Sequence, residues 1–213
     1  MIDLDQLSLR NQLKYAPVAC LFLVFSFIGA GIVKWIPSLI HHLTIQDYLY
    51  VGRSNPIDLI SNSISNGEIW RLITPIFLHF GIFHLVFNAL LFWVLGKKIE
   101  YIFGSLRFLI YATFIAIISN ISQYWFGGSS LFGGLSGLVY GLLGFIWIFN
   151  KFSKKSIIFL PQGLLGFMLV WLFFGISGIV KFIIDINIAN TAHIVGLISG
   201  MILGYLKSFR TYK

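Results

Sequence analysis

Four residues in this chain have side chains suited to acyl transfer, and each stands in an otherwise apolar run: His84, Asn88, Ser136 and His193. A serine hydroxyl is a weak nucleophile until a neighbouring base takes its proton, and a neutral histidine is the usual base. Ser136 and His193 are the only such pair in which a helix start meets a small-residue face. A tetrahedral intermediate also needs donors aimed at its oxyanion. His84, the Asn88 amide and the Ser136 backbone N–H, at the positive end of a helix, could supply them. His84 and Asn88 are four apart and share a helix face, whereas His79 is five before His84 and should point elsewhere. The spans hold no Asp or Glu to orient His193, so the pattern reads as a Ser-His dyad with Tyr140 as packing support. There is no His-Glu-x-x-His and there are few inward histidines, so neither a metal nor another cofactor is expected.

Ser136 lies in the stretch F-G-G-L-S-G-L-V-Y-G-L-L-G, residues 132–144, between Gly134 and Gly137. No charge follows from Leu135 until Lys151. A helix over Leu135 to Asn150 is about 24 Å long, short of the roughly 30 Å hydrocarbon core. With its charged end at one interface, Ser136 lies below the opposite surface. Irregular backbone at that depth survives only where protein or a watery cavity meets it.

The elements that must position these groups are membrane helices. The chain is 58% hydrophobic and only 10% charged, against about 25% in soluble domains. Its mean hydropathy is +0.89. Basic residues are scattered between apolar runs, so the net charge of +8 reads as membrane topology rather than nucleic-acid binding. The lone Cys20 can form no intrachain disulfide.

Six spans are expected: Tyr15 to Val33, Phe80 to Gly96, Phe108 to Phe126, Leu135 to Asn150, Ile157 to Val180 and Thr191 to Leu206. Pro161 falls in the first turn of the fifth, where proline is tolerated. Residues 1–14 form a short tail, 15–207 one domain and 208–213 a second tail. Residues 34–79 carry Pro37, His41, His42, Asp47, Arg53 and Pro56 among apolar residues, which suggests short amphipathic helices at the interface. Trp70-Arg71 closes that loop, and interfacial anchoring is its plainest role.

With six spans, Arg10, Lys14, Lys97, Lys98, Arg107, Lys151, Lys154, Lys155, Lys207, Arg210 and Lys213 share one side, against Lys34, Arg53, Arg71 and Lys181. The positive-inside rule makes both termini cytoplasmic and opens the site outward. Gly133, Gly137 and Gly141 recur every four residues in the fourth span. Ala192, Gly196, Gly200 and Gly204 do so in the sixth. Such spacing lets backbones pack closely and brings His193 toward Ser136.

Taken singly, a Gly-x-Ser-Gly or an intramembrane histidine is more often a packing feature. Together with W-R at 70–71, the segments H-F-G-I-F-H-L-V-F-N at 79–88, G-G-L-S-G-L-V-Y at 133–140 and A-H-I-V-G-L-I-S-G at 192–200 resemble the rhomboid intramembrane serine proteases, in their compact bacterial six-span form. The resemblance covers about residues 15–207. It implies an all-α, six-transmembrane-helix bundle with a membrane-embedded amphipathic loop between the first two helices. It also implies Ser136 as nucleophile, His193 as general base, and His84, Asn88 and the Ser136 N–H around the oxyanion, with Gly134, Gly196 and Gly200 in support. The implied partners are single-span membrane-protein substrates in the bilayer of a bacterial inner membrane. The implied fifth span and the loop after it act as lateral gate and cap. The family alternative is a catalytically inactive relative that binds membrane clients. A transporter would instead call for an acidic residue within a span and an internal repeat.

Overall fold

A computed structural model describes residues 6–47, 55–127, 129–154, 157–185 and 187–209. Arg53, Gly128, Lys155, Arg210 and Lys213 lie outside the described residues. The described residues form helices α1 (Leu9–Tyr15), α2 (Pro17–Trp35), α3 (Ile40–Leu43), α4 (Pro56–Ser65), α5 (Ile82–Phe103), α6 (Ser105–Phe126), α7 (Ser136–Phe152), α8 (Leu164–Ile176), α9 (Ile179–Ile184) and α10 (Asn190–Ser208). Three of them, α2, α5 and α6, are long and apolar enough to cross a membrane. The apolar α7 and α8 are shorter.

A helix apolar on all sides belongs at the centre of a bundle, and α7 is that helix. Every residue from Gly137 to Ile146 is buried. Rings converge at one end of it: Phe103 meets Phe145 and Phe149 edge-on, and Tyr111 stacks on Phe145 at 5.5 Å. The face of α7 toward α10 has almost no side chains. A Cβ on Gly196 would overlap Gly137 O, one on Gly200 would overlap Gly141 O, and one on Gly204 would overlap Phe145 O. Contact is backbone to backbone along that seam.

The spans differ from their expected limits for local reasons. The second runs on past Gly96 to Phe103, so it includes Glu100, a carboxylate only 1% exposed. Glu100 accepts hydrogen bonds from Val18 N, Ala19 N and Ser105 Oγ, capping the start of α2 at the end of the bundle remote from Ser136. A carboxylate does therefore lie within a helix that can span, and unpaired N–H groups at a helix start explain it. The fifth apolar segment is not one helix. Pro161 precedes α8, and Gly163 at φ +80° and Gly178 at φ +77° take left-handed conformations that cut the segment at both ends.

Between α2 and α5 the chain forms short helical turns that a buried cation gathers. Arg71, 7% exposed, donates to His41 O at 2.6 Å and Thr44 O at 3.1 Å and pairs with Glu68 at 2.8 Å. Trp70 stays exposed and donates to His42 O. The anchoring role fits the tryptophan. The arginine is instead an internal tie.

Candidate active site

The backbone turns into α7 at Ser136, its first residue, so the hydroxyl sits at the positive end of the helix. His193 is the fourth residue of α10, and its start is held by Gln123, whose Oε1 accepts from Ala192 N at 3.1 Å. The α7–α10 glycine seam brings the two side chains together. Ser136 Oγ lies 2.7 Å from His193 Nε2. Ser136 is half-buried, while His193 is only 5% exposed.

The imidazole is oriented without a carboxylate. Tyr140 packs beneath it, with ring centroids 4.8 Å apart and planes 31° from parallel. The Tyr140 hydroxyl is anchored in turn, donating to Met168 O on α8 at 2.8 Å. His193 Nδ1 has no hydrogen-bond partner among the described residues. For Nε2 to accept the serine proton, Nδ1 must carry the other one.

His84 and Asn88 lie one turn apart on α5 and border the loop that leads to Ser136. Gly134 has φ +116°, and a Cβ there would meet His84 Cε1 and Nε2 at 2.6 Å and Asn88 Nδ2 at 3.4 Å. Only glycine fits both that backbone and that space. The loop is thus pressed against the two polar side chains two residues before the hydroxyl. Gly133 does not continue the α7 stripe, because the helix begins only at Ser136. It packs on the backbone of Leu78 and Pro75, and Gly134 N donates to Pro75 O.

His79 departs from its expected direction. It precedes α5, so helical spacing does not govern it, and its ring lies 5.1 Å from that of His84. Its Nδ1 meets Phe77 O at 3.0 Å, and its Nε2 accepts from Leu135 N at 3.4 Å. Burial, with the neighbouring His84 adding, pushes its pKa down to about 4, so the ring is neutral and can accept. Asn120 plays a similar part from α6, donating to Leu72 O at 2.9 Å and so tying the Arg71 loop to the bundle. Polar residues at 119, 120 and 123 in an otherwise apolar run were the sequence signal for this supporting layer. Among the described residues no group of three or more His, Cys, Asp or Glu side chains is placed to hold a metal ion.

The arrangement can activate a hydroxyl and place donors beside the carbonyl it attacks. The comparisons with known proteins identify the family. The family model described as Rhomboid domain matches residues 66–210. The chain is similar to the Rhomboid protease GlpG of Yersinia pestis (strain Pestoides F), 37% identical over 144 residues, which is 68% of this chain and 50% of that protein. It is 34% identical over 142 residues to the Rhomboid protease GlpG of Pectobacterium atrosepticum, covering 67% of this chain and 50% of that protein. The chain spans about half the length of the curated relatives it matches. A match that runs from the Arg71 loop through both α7 and α10 leaves one assignment: this membrane protein belongs to the rhomboid family.

Proposed function

We propose that the chain is an intramembrane serine endopeptidase working with a Ser136–His193 dyad. The observation that carries this reading is the 2.7 Å approach of Ser136 Oγ to His193 Nε2 at the start of a buried helix. His193 takes the hydroxyl proton as Oγ bonds to the scissile carbonyl carbon, and the carbonyl electron pair moves onto oxygen. His84, Asn88 and the Ser136 N–H stabilise that oxyanion. Collapse expels the amine, which leaves with the proton held on His193. Water then repeats the sequence and frees Ser136. Gly134 keeps the donors close, while Tyr140, Gly196 and Gly200 hold the imidazole in register.

In this reading α2, α5, α6, α7, the α8 segment and α10 make six crossings, with the short amphipathic helices α3 and α4 between the first two crossings in the outer leaflet. Both termini are cytoplasmic by the positive-inside rule, and the dyad opens to the outer side of a bacterial inner membrane. The substrates are single-span membrane proteins, cleaved in or near their transmembrane helices, as the protease names of the relatives support.

The test is fluorophosphonate labelling of the purified chain in detergent, together with cleavage of a single-span model substrate. Labelling and cleavage should both vanish in Ser136→Ala and His193→Ala. Label that persists in Ser136→Ala overturns the nucleophile. A folded chain that neither labels nor cuts would be a client-binding relative instead.

A further inference from the structure

The loop that enters α7 has its amides tied one after another to the segment before α5. Gly134 N donates to Pro75 O at 3.1 Å, and Leu135 N donates to His79 Nε2 at 3.4 Å. The next amide belongs to Ser136, the first residue of α7, and a helix start leaves that N–H without an intrahelical partner. The first anchor is a backbone carbonyl. The second is a side chain to which the hydrolytic steps assign no role.

His79 is suited to hold one amide in one direction. The residue is only 2% exposed, and its Nδ1 lies 3.0 Å from Phe77 O. A carbonyl can only accept, so Nδ1 carries the hydrogen and Nε2 keeps a lone pair. The Leu135 amide can only donate, and it meets that lone pair. Both contacts therefore demand the same neutral tautomer, and the ring cannot turn without losing both. Its centroid also lies 5.1 Å from that of His84, whose Cε1 and Nε2 stand where a Cβ on Gly134 would clash. His79 thus contacts both the loop before Ser136 and a polar side chain pressed against that loop.

The Leu135 and Ser136 amides are separated by the two dihedral angles of Leu135, φ −65° and ψ −7°. Leu135 N is held by His79, and Leu135 O accepts from Val139 N at 2.8 Å. The residue between the two amides is therefore fixed at both ends. We infer that His79 is a positioning residue: by holding the Leu135 amide it aims the Ser136 N–H, without touching substrate itself. The role rests on the reading of Ser136 as nucleophile. An oxyanion donor stabilises the transition state fully only when aimed at the place where charge develops. A donor left free to swing costs rate and leaves substrate binding unchanged.

The experiment measures kcat and KM of the full chain in detergent on a single-span model substrate, for wild type, His79→Asn and His79→Gln. An asparagine amide reaches as far as Nδ1 and keeps the bond to Phe77 O. A glutamine amide reaches as far as Nε2 and keeps an acceptor for Leu135 N. His79→Asn should lower kcat about tenfold at constant KM, and His79→Gln should stay within about threefold of wild type. A side chain that only fills space or ties the Phe77 turn would not favour glutamine over asparagine. An equal loss in both variants, an unimpaired His79→Asn, or a change confined to KM overturns the role. Thermal midpoints identify a variant that has merely unfolded. Should His79→Asn do so, a folded His79→Gln decides alone: retained kcat supports the role and lost kcat overturns it. A wild type that neither cleaves nor takes fluorophosphonate label strikes the Ser136 reading itself. A wild type that cleaves beside an equally active His79→Asn strikes only the positioning role.

Discussion

A methyl group on Gly200 would overlap the carbonyl oxygen of Gly141, so α10 and α7 touch there through backbone alone. That contact lies two turns from His193 and governs how far the imidazole stands from Ser136. Gly200→Val should cost at least about 1–3 kcal/mol through overpacking. It should also remove most hydrolysis even where the protein still folds. Gly166 on α8 has nothing within 4 Å of an added Cβ. Gly166→Ala should therefore raise the thermal midpoint, since alanine stabilises a helix by about 0.5–1 kcal/mol relative to glycine. Thermal unfolding in detergent beside a substrate-cleavage assay checks both.

Tyr140 serves its neighbour with its ring and its own helix pair with its hydroxyl. Tyr140→Phe keeps the ring 4.8 Å from His193 and removes only the bond to Met168 O. The expected cost is about 0.5–1.5 kcal/mol of stability, with most activity retained. Tyr140→Ala empties the space beneath the imidazole, costs about 3–5 kcal/mol and should abolish cleavage. Unfolding midpoints and turnover of the two variants, measured side by side, decide the matter.

In the proposed mechanism Asn88 acts at the oxyanion, so its loss should appear in kcat rather than in substrate binding. Asn88→Ala is expected to lower kcat about 10²-fold with little change in KM. A rise in KM at constant kcat would move Asn88 from the transition state to substrate docking.

Glu68 links the amphipathic loop to acidity. Its hydrogen bond from Arg71 holds its carboxyl below the ordinary value of 4.5. A carboxyl lowered in the folded state contributes stability above its unfolded pKa and loses it as pH falls through the folded one. The gap in thermal midpoint between the wild type and Glu68→Gln should hold near about pH 7 and close toward about pH 3. A gap independent of pH would mean that the ion pair does not stabilise the loop.

Much of the site could be read from spacing. Gly137 and Gly141 facing Gly196 and Gly200 forced a close helix pair, and residues 136 and 193 stood on its facing sides. His84 and Asn88, four apart, had to share a face. Other features depended on tertiary contacts that no periodicity encodes. His79 reaches the loop before Ser136 because α5 starts three residues after it, a boundary the apolar pattern does not mark. Gln123 and Asn120 sit in an apolar run, and their partners Ala192 and Leu72 lie far away in sequence. Arg71 looked like an interfacial anchor because its acceptors, the carbonyls of His41 and Thr44, carry no side-chain signature. The apolar run from Ile157 to Val180 hid its breaks, since a left-handed glycine in a greasy segment looks the same as a helical one.

Glu100 has a consequence for how the protein is made. Its two oxygens are satisfied only when α2 has arrived to offer the amides of Val18 and Ala19 and α6 has begun at Ser105. During biogenesis α2 therefore cannot finish docking before α5 and the start of α6 are threaded. An unfinished chain carries an ion without partners, for which burial costs several kcal/mol. That charge acts as a checkpoint on assembly: nascent chains lacking α2 should be retained by the insertion machinery and degraded.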